Sequence, residues 1–305
     1  MNDLLEKLKS KLEAHGQTHV LRSWGELSAE QRRRLARQID SLDLKRIAAL
    51  WASRQHSGQQ SQGEDISELA RRAKPPASIV RLPGTPVQQE DWKRAARIGE
   101  ELLKAGRVGA LLVAGGQGTR LGFDKPKGEF PIGPVSQSTL FRILAEQVLA
   151  RSRRAGKPIP YFIMTSDATH DATVAFFTEQ KFFGLPSSDV FFFEQGNMPA
   201  VDAATGKLLM ADMGSLSTSP DGHGGMLAAL AKAGLLDEMK RRGIDFLHYH
   251  QVDNPTAIVC DPVFLGFHAE REAEMSIKVV AKRSAGERMG VAVDVDGRTQ
   301  IIEYS

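Results

Sequence analysis

Leu4, Leu5, Leu8 and Leu12 recur at the three- and four-residue spacing of one helix face, and so do Leu35, Ile39, Leu42, Ile47 and Leu50. Asp40 and Ser41, between the apolar positions of that second set, are residue types that start a new helix. The stretch from Ser57 to Gly63 is polar and glycine-containing, which predicts a loop or hinge. Pro75-Pro76 and Leu82-Pro83-Gly84-Thr85-Pro86 break the pattern again before a helix expected from Trp92 to Lys104. Residues 1–106 therefore read as a helical N-terminal region.

From residue 107 the pattern changes. Short apolar runs at Val108 to Ala114, Tyr161 to Thr165, Val190 to Phe193, Phe246 to Val252 and Ser276 to Val280 alternate with helical segments. Those segments fall near Leu140 to Arg153, Ala172 to Gln180, Met226 to Ala233 and Pro262 to Glu274. Strands that are apolar throughout, each followed by a helix, predict an α/β domain over residues 107–305 with a mainly parallel sheet covered on both faces. Alternation from Gly290 to Ile302 around Asp296-Gly297 predicts a hairpin. After Ile302 only Glu303-Tyr304-Ser305 follow, with no turn or closing helix, so this domain reads as cut short at its C-terminal end.

Composition narrows the class. Of 305 residues, 41% are hydrophobic and 25% charged, the balance of a globular chain able to bury a full core. Forty Lys and Arg against 37 Asp and Glu leave a formal charge of +3, too small to suggest a nucleic-acid partner or a membrane surface. Cys260 is the only cysteine, which excludes an intrachain disulfide and cysteine-rich zinc sites. No apolar run approaches the roughly 18 residues of a membrane span, and the N-terminus is mixed in charge, unlike a signal peptide. The expected compartment is the cytoplasm.

The most informative segment is Leu111-Leu112-Val113-Ala114-Gly115-Gly116-Gln117-Gly118-Thr119-Arg120-Leu121-Gly122, an apolar strand running into three glycines within four residues. Without Cβ atoms, such a loop brings backbone N–H groups against phosphate oxygens, at the strand end where open α/β sheets bind ligands. The spacing after Gly116 is G-x-G-x-x-x-G, not the dinucleotide G-x-G-x-x-G. Gly156-Lys157 precedes Pro158 and Gly206-Lys207 precedes Leu208, so neither is a P-loop. Lys125-Pro126-Lys127-Gly128 follows, and Arg120 and Lys127 flank the loop as two cations for a polyphosphate, Arg in bidentate fashion and Lys as a point charge.

Gly115-Gly116-Gln117-Gly118-Thr119-Arg120, a spacer and Pro126-Lys127 resemble the signature of sugar nucleotidyltransferases. With Gln117 and Leu121-Gly122 the form resembles the eukaryotic-type UDP-N-acetylhexosamine pyrophosphorylases. The similarity continues through Met164-Thr165-Ser166, Phe182-Phe183-Gly184-Leu185, Phe193-Glu194-Gln195-Gly196 and Ser219-Pro220-Asp221-Gly222-His223-Gly224-Gly225. It ends with Val252-Asp253-Asn254, Asp261-Pro262 and Ile302-Glu303-Tyr304-Ser305.

The resemblance implies a nucleotide-diphospho-sugar transferase fold, a Rossmann-like mixed sheet with helices on both faces. It also implies transfer of uridylyl from UTP to an N-acetylhexosamine 1-phosphate, releasing pyrophosphate, with Mg²⁺. Carried over by position, Ala114, Gly115 and Gly116 hold the nucleotide, Gln195 and Gly222 contact the uracil, and Arg120 and Lys127 are the catalytic cations. Asp253 binds the nucleotide through Mg²⁺, a cation that favours carboxylate and phosphate oxygens. His223, Glu303 and Tyr304 fall at positions that touch the sugar.

His223 departs from the Asn that the acetylhexosamine enzymes carry there, whereas glucose-type enzymes carry Gly-His-Gly. That leaves a UDP-glucose or broad-specificity pyrophosphorylase as the alternative within the class, and a non-catalytic nucleotide-sugar-binding protein as the alternative outside it. His248 and His250, two apart on a strand, are expected in packing rather than on zinc, and Cys260 as a buried small hydrophobe. Phe191-Phe192-Phe193 reads as a buried strand, and the arginines at 32–34 and at 151, 153 and 154 as solvated helix faces.

Overall fold

The structure, a computed structural model, describes residues 2–57, 66–76 and 78–303. In chain order these form α1 (Asn2–Glu13), α2 (Ala29–Ser41), α3 (Leu44–Ser57), α4 (Ile66–Arg72), α5 (Pro86–Ala105), β1 (Val108–Val113), α6 (Leu140–Ala155) and β2 (Tyr161–Thr165). There follow α7 (His170–Glu179), β3 (Val190–Glu194), the short strands β4 (Asn197–Pro199), β5 (Met210–Asp212), β6 (Ser215–Leu216) and β7 (Thr218–Pro220), then α8 (Met226–Lys232) and α9 (Leu235–Arg242). β8 (Phe246–Gln251), α10 (Pro262–Glu270), β9 (Val291–Val295) and β10 (Arg298–Ile302) complete the order.

Every residue of β1 is buried, because the strand runs between β2 and β8 in a sheet of order β3-β2-β1-β8 whose pairings are all parallel. The register sets Leu111 beside Phe162 on one side and Tyr249 on the other. Alternate β1 side chains serve opposite cores. Val108, Ala110 and Leu112 join Leu102 and Leu103 of α5, Phe141, Leu144 and Val148 of α6, Phe177 of α7 and Leu265 of α10. Leu111 and Val113 join Phe162, Met164 and Phe193, with Leu230 of α8 and Met239 of α9 covering that face. This is the sheet with helices on both faces that the apolar runs predict.

The described residues divide into two compact units, Pro83–Asn197 with Pro220–Ile277, and Met1–Leu82 with Met198–Ser219 and Lys278–Ser305. They do not follow the expected 1–106 and 107–305 division. Helix α5 belongs with the sheet, since it and α10 cross closely enough that a Cβ on Gly266 would lie 1.8 Å from the Ala95 carbonyl oxygen, and one on Gly99 1.9 Å from that of Pro262. In the other unit Leu8, Leu12, Leu35, Ile39 and Ile47 build a core with Leu208 and Leu216. A capping box between Ser28 and Gln31 starts α2.

Three local expectations are corrected. The break expected at Asp40-Ser41 falls two residues later, where Asp43 Oδ1 accepts the Arg46 N–H at 2.9 Å. The helix expected to Glu274 ends at Glu270, since Glu272 turns to φ 50. Ser276 to Val280 forms no strand, and Val279 and Val280 are 64% and 75% exposed, because an apolar run pairs only where a neighbouring strand exists. The hairpin stands, with Asp296 and Gly297 at φ 53 and 80 as a two-residue turn of type I′ requires. The loop expected at 57–63 lies, beyond Ser57, outside the described residues. Among the described residues no helix is long and apolar enough to cross a membrane.

Candidate active site

The site begins where β1 stops. Ala114 is buried and donates its N–H to the Met164 carbonyl at 2.8 Å, so it closes the ladder and supports the loop after it. The chain then doubles back. Gly118 donates to the Lys125 carbonyl at 2.9 Å, Phe123 to that of Gly118 at 3.2 Å, and Lys127 to that of Gly116 at 3.0 Å. These bonds bring Lys127, eleven positions on in sequence, back beside Gly116, where a Cβ would stand 3.9 Å from its Nζ.

Two glycines here face close neighbours, Gly118 a backbone oxygen and Gly115 the end of a side chain. A Cβ on Gly118 would lie 2.7 Å from the Phe123 carbonyl oxygen, and one on Gly115 would lie 2.9 Å from Gln195 Nε2. Gln195 follows β3 and donates its backbone N–H to Thr165 at 2.9 Å, which carries its amide to the loop. A cleft of about 430 Å³ opens here, lined by Gly115, Gly116, Thr119, Arg120, Lys127, Ser166 and Pro220 among others. That volume lies within the usual range for small-molecule sites.

Ser166 supports the loop, though its spacing alone did not mark it. Its hydroxyl donates to the Gly115 carbonyl at 2.8 Å, while its N–H donates to Thr169 Oγ1 at 3.1 Å, so the end of β2 pins the first glycine of the loop. Its signal was the Met164-Thr165-Ser166 motif at a strand end.

Asp253 lies just beyond β8, whose ladder is extended by the Val252 N–H donating to Val113 at 3.0 Å. Lys127 Nζ sits 3.1 Å from each carboxylate oxygen of Asp253, with the side chains 25% and 55% exposed. The strand order makes the pair, since β8 is the immediate neighbour of β1. Among the described residues no three His, Cys, Asp or Glu side chains cluster as a complete metal site. A single accessible carboxylate suits a Mg²⁺ ion that takes its remaining ligands from substrate phosphates and water.

Gly222 begins the turn Gly222–Gly225 at φ 64, and Asp221 donates its N–H to the Gly196 carbonyl at 2.9 Å, tying this turn to the residue after Gln195. His223 is exposed, its Nδ1 in short contact with the Tyr249 hydroxyl on β8. Burial raises the Tyr249 phenol above its ordinary value, opposed by a hydrogen bond with Gln251. Glu303 follows β10 in the other unit and lies near Gly290, where a Cβ would stand 3.3 Å from its Oε1. Tyr304 is outside the described residues.

The two histidines of β8 pack rather than ligate. His250 stacks on Tyr161 with ring centroids 5.8 Å apart and its Nε2 3.2 Å from the tyrosine hydroxyl, and His248 sets its ring edge to face on Phe264. Burial, then the neighbouring His248, pushes the His250 imidazole down to about 3. Cys260 is fully buried, and burial pushes its thiol up to about 12, far from a nucleophile. Phe193 is buried and Phe191 and Phe192 half-buried, and Arg33, Arg153 and Arg154 are exposed as expected, while Arg32 bonds the Trp24 carbonyl and the half-exposed Arg34 bonds Asp212.

Residues 54–305 match the family described as UTP–glucose-1-phosphate uridylyltransferase. The chain is 36% identical to UDP-N-acetylglucosamine diphosphorylase 2 of Arabidopsis thaliana, over 98% of this chain and 61% of that protein. It is 35% identical to UDP-N-acetylglucosamine pyrophosphorylase of Saccharomyces cerevisiae, over 95% of this chain and 61% of that one. Among solved structures, the uridine diphosphate N-acetylglucosamine pyrophosphorylase of Trypanosoma brucei in complex with inhibitor superposes with a TM-score of 0.85 at 30% identity, covering 99% of this chain and 61% of that one. A UDP-glucose phosphorylase of the same organism shares the fold at 20% identity and a TM-score of 0.63. The chain thus spans about three fifths of the length of the relatives it matches.

Proposed function

Because this chain belongs to the UTP–glucose-1-phosphate uridylyltransferase family, we propose that it carries the nucleotide site of a uridylyltransferase making UDP-N-acetylglucosamine or UDP-N-acetylgalactosamine and pyrophosphate from UTP and the sugar 1-phosphate. One observation carries the reading. The glycine loop, Arg120 and Lys127 line one cleft at the end of β1, with Lys127 paired to Asp253 from the neighbouring strand.

The reaction is an in-line displacement at phosphorus, so the protein supplies position and charge rather than covalent chemistry. An oxygen of the sugar 1-phosphate bonds to the α-phosphorus of UTP as the α–β bridging bond breaks, and the electron pair leaves with pyrophosphate. Gly115 and Gly116 let the backbone approach the nucleotide, Ser166 fixes the loop, and Gln195 reads the uracil edge through an amide that both donates and accepts. Arg120 grips phosphate oxygens in bidentate fashion, and Lys127 adds a point charge where negative charge builds. Asp253 would hold Mg²⁺, which when bound neutralises phosphate charge.

A glucose-type reading draws on His223. The acetylglucosamine reading is preferred because relatives at 35–36% identity bear that name, while glucose-type structures at 20% speak for the fold alone. We propose that the reaction takes place in the cytoplasm. The reverse reaction tests the proposal. UDP-N-acetylglucosamine with pyrophosphate and Mg²⁺ should yield UTP, and Lys127→Ala should suppress it. Absence of UTP from the wild-type protein, in the presence of measurable UTP binding, would reduce it to a binding protein.

A further inference from the structure

The Gly222–Gly225 turn and β8 belong to one unit, and His223 of the turn meets Tyr249 of β8 side chain to side chain. Tyr249 lies on the face of β8 opposite the buried His248 and His250, the face that Leu247 shares, and Leu247 and Met226, the residue after the turn, both pack on one apolar cluster. The rings stand 6.0 Å apart and tilted at 58°, with the phenol oxygen against Nδ1.

A neutral imidazole carries one donor and one acceptor nitrogen, and a neighbour that donates to one nitrogen fixes the proton on the other. A phenol is a good donor and an imidazole lone pair a good acceptor, so the favoured arrangement has the Tyr249 O–H donating to Nδ1. A phenol keeps its proton at neutral pH. We propose that Tyr249 is a positioning residue that holds His223 as its Nε2–H tautomer, so that the turn presents a fixed hydrogen-bond donor to an oxygen of the sugar 1-phosphate. Turn and strand would then set sugar preference together, with no charge added to the pocket.

The inference rests on the reading of the cleft given above, and its test separates the two. Nitrogen-15 correlation spectra of the imidazole side chains at pH 8, with His223 assigned by the loss of its signal in His223→Asn, should show the Nε2–H pattern in the wild-type protein and a tautomer mixture in Tyr249→Phe. Kinetically, Tyr249→Phe should raise KM for N-acetylglucosamine 1-phosphate about three- to tenfold, the scale of one lost side-chain hydrogen bond, and leave KM for UTP unchanged. It should add nothing to His223→Asn in the double variant. An Nδ1–H or mixed pattern in the wild-type protein, or a pattern unchanged in Tyr249→Phe, would overturn the proposal. A wild-type protein without turnover but with the expected tautomer change would instead refute the reading of the cleft and the sugar role, leaving the His223–Tyr249 pairing in place.

Discussion

Lys127 Nζ stands 3.1 Å from both carboxylate oxygens of Asp253, so the cation assigned to phosphate and the carboxylate assigned to metal form one ion pair between adjacent strands' loops. Half-exposed, the pair adds little to stability, since such bridges contribute about 0–1 kcal/mol. Its weight falls on ligands. Lys127→Ala should weaken UTP binding about tenfold or more, the range of a charged hydrogen bond, while the melting temperature barely moves. Asp253→Asn should remove Mn²⁺ binding measured with UTP present and abolish turnover at ordinary Mg²⁺. Calorimetry and a thermal melt check both, and normal turnover by Asp253→Asn would remove the metal from that residue.

Gly115 separates binding from folding. A Cβ there meets the far end of the Gln195 side chain, 2.9 Å from Nε2, and that flexible amide can swing aside. Gly115→Ala should therefore fold normally and lose UTP affinity, because the displaced amide is the proposed reader of uracil. Equal affinity in a titration would place Gln195 outside the base pocket.

Gly266 predicts the opposite. The atom its Cβ would meet, at 1.8 Å, is a backbone oxygen of α5, which cannot move without separating two helices of the core. Overpacking of this kind costs typically 1–3 kcal/mol. Gly266→Ala should lower the unfolding free energy by that amount, read as a lower urea midpoint at an unchanged m-value, whereas Gly222→Ala meets no atom within 4 Å and strains only its turn at φ 64.

His250 gives stability a pH dependence. Its folded-state value of about 3 lies below the ordinary 6.5, so between these values the unfolded chain takes up a proton that the folded one refuses. The contribution is fully present above about pH 6.5 and is lost as pH falls toward 3, at up to about 1.4 kcal/mol per unit. Urea unfolding from pH 7 down to 4.5 should show this slope, and His250→Gln should flatten it. A slope unchanged in the variant would assign it to other groups.

Much of this was legible in the residues because buried parallel strands leave continuous apolar runs, as β1 and β2 do, and because Asp296-Gly297 has few conformations other than a tight turn. The glycine loop was legible too, since close approach of backbone removes a side chain at Gly118 and an approaching amide disfavours one at Gly115. Partnership was not. Nothing in sequence spacing joins Lys127 to Asp253, 126 positions apart, until β8 is known to neighbour β1. Ser166 hid as an ordinary strand-end serine, and Tyr249 as one more aromatic on a strand. The run at Ser276 to Val280 misled, because apolar character records a tendency to be covered and not the presence of a partner. Helix α5 reads as part of a helical N-terminal region until its crossing with α10 is seen.

The central claim is tested most directly by pyrophosphate release with UTP and Mg²⁺, comparing N-acetylglucosamine 1-phosphate, N-acetylgalactosamine 1-phosphate and glucose 1-phosphate. The account predicts release with the acetylated sugars in preference to glucose 1-phosphate, abolished by Asp253→Asn. Preference for glucose 1-phosphate would contradict the sugar assignment, and no release with any of the three would contradict the assignment of a uridylyltransferase to this chain.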